Sequence, residues 1–305
     1  MTGGSGFLGS HVVRQLEDSQ VYAPGHSELD LTDRAAVDHF VGSKGVQRVV
    51  HAAGFVGGIA LNRQYPGRMI VDNLRMGVNV LETCARHGAE VCIVSTVCAY
   101  PESAPVPTPE SALFEGPSAD DTGFYGTAKR TLYMVAEGLA RERGLVFTYI
   151  IPTNMYGPGD HYEDDRSHVV AALLARMHRA KTQDLPSVTV WGDGTQTRDL
   201  IYVEDAARGI LACRDPRCRR RAVNLGSGQE LSIREIALTI RQIVGYGGEL
   251  RWDPSRPTGA RRRALDSGWL RSELGFAPQV EFADGLARTY ESYLKEITGL
   301  HDRQE

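Results

Sequence analysis

The sequence predicts an α/β protein, a doubly wound parallel sheet carrying a smaller α/β lid. Three observations predict it. Short apolar runs alternate with helical patterns through the first half of the chain. Those runs are continuous rather than alternating, as strands covered by helices on both faces must be. A glycine-rich turn at the start runs straight into a helical pattern.

In chain order, Phe7–Leu16 reads as a helix and the region around Val21–Ala23 as a strand. Val46–Ala53 and Val91–Thr96 read as buried strands, with apolar residues at helical spacing over Asp72–His87 between them. Tyr125–Arg143 reads as a helix and Val146–Ile151 as the next strand. Such a sheet binds ligands beyond the carboxyl ends of its strands. The second half is less regular. Ser167–Lys181 reads as a helix with Ser167 as N-cap, Val188–Trp191 as a short strand before Gly192-Asp193-Gly194, and Ala222–Leu225 as a further sheet strand. Ser232–Val244 and Phe282–Ile297 read as helices, with Ser232 and Glu235 spaced for a capping box. The expected division is a nucleotide-binding unit over 1–155, with later returns near 195–226, and a mainly substrate-binding unit over 156–305.

A chain of 305 residues with 42% apolar and 24% charged residues can bury an ample core without disulfides or metals. Its net charge of −4 points to neither a nucleic-acid nor a membrane partner. Five scattered cysteines suit a reducing compartment. No apolar run reaches the ~18–20 residues that span a bilayer. Nor does a signal-peptide pattern precede the glycines, so the expected location is cytoplasmic. No metal site is expected.

Gly3, Gly6 and Gly9 form a G-x-x-G-x-x-G turn. The first allows a tight turn, the second lets backbone approach a pyrophosphate, and the third lets the helix pack on the sheet. This is the Rossmann pattern for NAD or NADP. Only Met1 and Thr2 precede it, so the strand it normally follows is expected to be missing from this sequence, either because the true start lies upstream or because the chain is a poorly stable truncation. Pro24-Gly25-His26-Ser27 stands where an NAD enzyme places an acid on the ribose, which leans to NADP. Asp30 and Leu31 are candidates for the adenine, or else part of a surface turn before a helix cap at Thr32 or Asp33.

Tyr125 and Lys129 are spaced i, i+4 on one helix face. A nearby ammonium favours the phenolate and lowers the tyrosine pKa, so the phenol can exchange a proton with a carbinol while a nicotinamide exchanges hydride. Thr96 ends a strand upstream and can hydrogen-bond the same oxygen. Together these resemble the Ser/Thr, Tyr, Lys triad of short-chain dehydrogenases.

The resemblance narrows over Val56-Gly57-Gly58-Ile59, Cys98-Ala99-Tyr100-Pro101, Pro152 to Pro158, Ser167-His168-Val169 and Val190 to Gly194 with Arg198. In order and spacing these are similar to the GDP-L-fucose synthase family of extended short-chain dehydrogenases/reductases. That resemblance implies NAD(P)H-dependent 3,5-epimerisation and 4-reduction of a nucleotide-linked 4-keto-6-deoxy sugar, GDP-linked by preference. It implies Cys98 as base and His168 as acid. Cofactor contacts are implied for Gly3, Gly6, Phe7, Leu8, Gly9, His26, Asp30, Leu31, Ala52, Ala53, Tyr125, Lys129, Pro152, Asn154 and His168. Substrate contacts are implied for Val56, Gly57, Asn154, Arg176, Trp191, Arg198 and Arg263, and a homodimer through the helices of Asp72–His87 and Tyr125–Arg143. The sequence departs from the family at Thr96 and Val97, each in place of serine, at Ser5 and His26, in place of arginines, and at Thr258, in place of an acid.

Plainer readings stand beside these: Cys98 as packing, His168 as a solvated helix start, and Arg261 to Arg263 as a basic turn. Val97-Cys98 in place of Asp-Glu disfavours a 4,6-dehydratase. A 4-epimerase, a 4-reductase without epimerisation, and an idle dinucleotide-sensing protein are the competing functions.

Overall fold

The computed structural model describes residues 1–16, 20–118, 122–162, 167–256 and 259–301. Its first half runs α1 (Phe7–Arg14), α2 (Arg34–Lys44), β1 (Arg48–His51), α3 (Ile59–Gln64), α4 (Pro66–His87), β2 (Glu90–Val94), α5 (Gly123–Arg143) and β3 (Phe147–Pro152). There follow β4 (Asn154–Tyr156), α6 (Val169–Thr182), β5 (Ser187–Trp191), β6 (Thr197–Tyr202), α7 (Val203–Ala212), β7 (Ala222–Leu225) and β8 (Glu230–Ser232). The chain closes with α8 (Ile233–Val244), β9 (Glu249–Asp253), β10 (Arg262–Arg263), α9 (Gly268–Leu274) and α10 (Phe282–His301).

The central sheet is parallel in the order β1-β2-β3-β7. Alternate residues face opposite sides. Val49, Ile93, Tyr149 and Ile151 pack with Val80, Leu81 and Leu132 under α4 and α5. Val50, Cys92, Ile150 and Val223 pack with Leu8, Val12, Ala206 and Ile210 under α1 and α7. Both faces being covered is why these strands read as unbroken apolar runs.

Ahead of the glycine turn, Thr2 makes a single parallel bridge to His51 at the edge of β1. Its N–H donates to the Val50 carbonyl at 3.0 Å, and its carbonyl accepts from Ala52 N at 3.3 Å. Val21–Ala23 is not a strand. It runs beside Met1, whose ammonium donates to the Tyr22 carbonyl at 2.7 Å, and no ladder extends to pair it further.

The second half builds around β6, which pairs with β4 and β10 in parallel and with β8 antiparallel, while β5 pairs with β9. Tyr156, Leu173, Leu174, Met177, Ile236 and Ile240 form its core. The Ser232–Glu235 capping box forms as expected. Asp33, one of two candidates, caps α2 by accepting from Ala35 N and Ala36 N. Ser167 does not cap α6. His168 is the N-cap residue, and the Ser167 hydroxyl is buried with no hydrogen-bond partner among the described residues. Thr258 lies outside the described residues. Among them no helix is long and apolar enough to cross a membrane.

Candidate active site

The glycine turn lies against the carboxyl end of β1. Gly3 has φ +69°, and a Cβ there would lie 2.8 Å from Ala53 N. A Cβ on Gly9 would lie 1.9 Å from the Gly3 carbonyl oxygen, so α1 enters its own turn at backbone contact. Gly6 is the N-cap and has no side chain to offer the first-turn amides. Those amides, at the positive end of the helix dipole, suit a pyrophosphate. The cradle therefore fits a dinucleotide: Gly3, Gly6, Phe7, Leu8 and Gly9 would hold its phosphates beside Ala52 and Ala53. His26 is exposed. Asp30 spends its carboxylate on the Thr32 N–H and hydroxyl, both at 2.8 Å, and Leu31 is buried in the core. These two residues serve the turn before α2.

Lys129 is only 3% exposed. Its ammonium donates to the Val94 carbonyl at 3.2 Å and the Ala53 carbonyl at 3.5 Å, joining the ends of β1 and β2. Burial pulls its pKa down to about 8. The Nζ lies 6.0 Å from the centre of the buried Tyr125 ring. The expected lowering of the tyrosine pKa is not seen. Burial, then the Cys98 and Tyr149 side chains, push the Tyr125 phenol upward. Desolvation of the phenolate is the largest cause of that rise. Ser95 donates to the Tyr149 hydroxyl at 2.5 Å, which donates to the Lys129 carbonyl at 2.9 Å, bracing α5 against β2 and β3. This brace left no mark in the sequence.

Thr96 caps a short 3-10 turn, Val97–Ala99, by accepting from Cys98 N at 3.2 Å. The turn packs on α5 at Gly126, where a Cβ would lie 2.0 Å from the Cys98 carbonyl oxygen. Cys98 is half-buried, whereas Cys84, Cys92, Cys213 and Cys218 are buried. The Arg263 guanidinium donates to the Cys98 sulfur at 3.5 Å. Resemblance places Arg263 at the substrate; its contact with a thiol could not be read from sequence.

His168 precedes α6 with its ring open to solvent but surrounded by protein. Desolvation, then the nearby His161 and Arg263, hold its pKa below the ordinary imidazole value. Arg198 is buried, donating to the Thr197 carbonyl at 2.7 Å and the Ala260 carbonyl at 2.8 Å. Burial and then Arg263 lower its pKa to about 10. A Cβ on Gly259 would lie 3.7 Å from both Arg198 Nη2 and Ile59 Cδ1, so Gly259 lies between Arg198 and the start of α3, just after the Val56-Gly57 segment. Asn73 holds that segment from α4, donating to the Phe55 carbonyl at 2.9 Å and accepting from Phe55 N at 3.1 Å. Trp191 is 46% exposed at the end of β5. Arg176 lies 5.5 Å and Arg256 5.9 Å from its ring centre; Arg256 was not foreseen. Pro152 ends β3 and Asn154 begins β4, at the same carboxyl edge.

Comparison with known proteins agrees with this arrangement. GDP-L-fucose synthase 1 of Arabidopsis thaliana is 36% identical over 301 residues, covering 97% of this chain and 93% of its own length. GDP-L-fucose synthase of Escherichia coli K12 is 33% identical over 308 residues, covering 97% and 96%. The crystal structure of a GDP-L-fucose synthetase from Naegleria fowleri bound to NADP superposes with a TM-score of 0.89 at 26% identity, covering 97% of this chain and 92% of that one. A family of proteins described as NAD dependent epimerase/dehydratase matches residues 1–226. With that match, and with the glycine turn and the Lys129 ammonium both against Ala53, the chain belongs to the NAD dependent epimerase/dehydratase family.

Proposed function

We propose that the chain is a GDP-L-fucose synthase: an enzyme that epimerises C3 and C5 of a GDP-linked 4-keto-6-deoxy sugar and then reduces C4 with NADPH. The observation that carries this is a second reactive pair beside the reductase pair. A simple reductase needs Tyr125 and Lys129. Cys98, packed on the same helix at Gly126, and His168, within the field of the same Arg263, supply what epimerisation adds.

The C4 ketone acidifies the hydrogens at C3 and C5. Cys98 takes a proton from one face, and His168 returns one from the other. The cradle of Gly3, Gly6 and Gly9 would hold NADPH, which would supply hydride for C4. Tyr125 gives its proton to the C4 oxygen. Thr96 accepts from Cys98 N, which leaves its hydroxyl hydrogen to donate to that oxygen. Lys129, with a pKa of about 8, is mostly protonated at pH 7 and offsets charge on the phenolate left behind. Arg176 and Arg198 suit a diphosphate, and the exposed Trp191 face suits a base.

Residues 1–155, with returns near 195–226, hold the cofactor, and residues 156–305 mainly hold the sugar nucleotide. Exposed Val71 on α4 and Met134 on α5, at 47% and 55%, support a homodimer through those helices. The test is incubation with GDP-4-keto-6-deoxymannose and NADPH in D2O. Deuterium at C3 and C5 of a GDP-L-fucose product supports the reading; a C4-reduced product without that deuterium refutes it.

A further inference from the structure

We infer that Arg263 is a positioning residue for Cys98: its guanidinium holds the sulfur in the anionic form that can act as base. The inference rests on the epimerase reading above. Arg263 Nη1 donates to Cys98 Sγ at 3.5 Å, across 165 residues of sequence. A guanidinium has donors only, and a neutral thiol is a poor acceptor, whereas a thiolate is a strong one. The contact therefore favours the ionised sulfur.

Geometry on either side of the contact keeps it in place. Cys98 sits on a turn whose backbone is fixed by the Thr96 cap and by contact with Gly126, so the residue stays beside Arg263. Arg263 sits on β10, which pairs with β6 in register with Arg198. Among the described residues no acid forms an ion pair with Arg263.

The chemistry gives this contact a specific task. In each epimerisation a C–H bond breaks and its proton forms an S–H bond on Cys98, while the electron pair moves onto the C4 oxygen. His168 then gives a proton to the opposite face, and the pair returns to carbon. Two centres are inverted by one base and one acid, so before the second event the thiol must lose its proton to solvent and His168 must regain one from solvent. A fixed guanidinium favours that loss each time.

Iodoacetamide tests the contact without substrate. The reagent is neutral, so Arg263 does not attract it, and Cys98 is the cysteine that is not buried among the five. Arg263→Met should slow alkylation at pH 7.5 about tenfold, as expected when a cationic partner of a thiolate is removed. Arg263→Lys should restore most of the rate, Cys98→Ala gives the background, and unchanged NADPH binding confirms that each variant is folded. With GDP-4-keto-6-deoxymannose, deuterium wash-in at C3 and C5 should fall more than C4 reduction in Arg263→Met. Alkylation of Arg263→Met, or of Arg263→Gln if that variant does not fold, at the wild-type rate overturns the inference. Slowed alkylation in a protein whose wild type shows no wash-in supports the contact and overturns the epimerase reading instead.

Discussion

Gly126 and Cys98 are in backbone contact: a Cβ on Gly126 would sit 2.0 Å from the Cys98 carbonyl oxygen and 2.7 Å from its carbonyl carbon. The helix that carries Tyr125 and Lys129 thus locates the turn that carries Cys98. Gly126→Ala must push that turn away. We expect a loss of about 1–3 kcal/mol in urea unfolding, typical of overpacking, and at least a tenfold drop in deuterium wash-in at C3 and C5. Unchanged wash-in would show that the turn's position does not matter.

The glycine turn makes a parallel case for the cofactor. A methyl on Gly9 would lie 1.9 Å from the Gly3 carbonyl oxygen, whereas nothing lies within 4 Å of one on Gly67. Gly9→Ala should weaken NADPH binding at least tenfold in a fluorescence titration. Gly67→Ala, in α4, should leave it alone.

Lys129 works against the fold it serves. Its pKa falls from 10.5 to about 8 in the folded chain. Between those values the unfolded chain binds more protons, so stability rises with pH through that window, and below pH 8 the full cost is present. That cost is on the order of 3 kcal/mol, partly offset by the hydrogen bonds to Ala53 and Val94. Lys129→Met should raise stability at pH 7 in urea titrations, remove the rise between pH 8 and 10.5, and abolish reduction.

Reduction and epimerisation should separate by mutation. Tyr125→Phe should cut C4 reduction by about 10²–10⁴, the usual worth of an acid–base group, while wash-in continues. Cys98→Ala should stop wash-in and still allow C4 reduction of the unepimerised ketone. Product analysis by NMR reads both.

Desolvation by the surrounding protein, then His161 and Arg263, hold the His168 pKa below the ordinary 6.5. An acid must carry its proton, so kcat/KM for wash-in should fall as pH rises through a value below 6.5. Removing the Arg263 charge should move that limb upward. A limb that stays in place in Arg263→Met would show that this charge does not reach the imidazole.

Much of this site was legible in the sequence because its signals are local. Gly3-x-x-Gly6-x-x-Gly9 needs its glycines for contacts within one turn, and Tyr125 and Lys129 share a face because a helix repeats every 3.6 residues. Helix ends at Asp33 and Ser232 could be read for the same reason. Val21–Ala23 could not, because a strand depends on its partner and only Thr2 extends the edge of β1. Ser167 failed as a cap because His168 takes the first position of the helix end.

The sequence alone determined the parallel α/β architecture, the glycine turn before α1 and the shared helix face of Tyr125 and Lys129, since periodicity and turn chemistry act over a few residues. Only the tertiary structure decided that Arg263 meets the Cys98 sulfur, that Gly126 locates Cys98, and that burial raises rather than lowers the Tyr125 pKa. Those depend on which distant segments exclude water from one another, and desolvation and long-range contact have no local pattern.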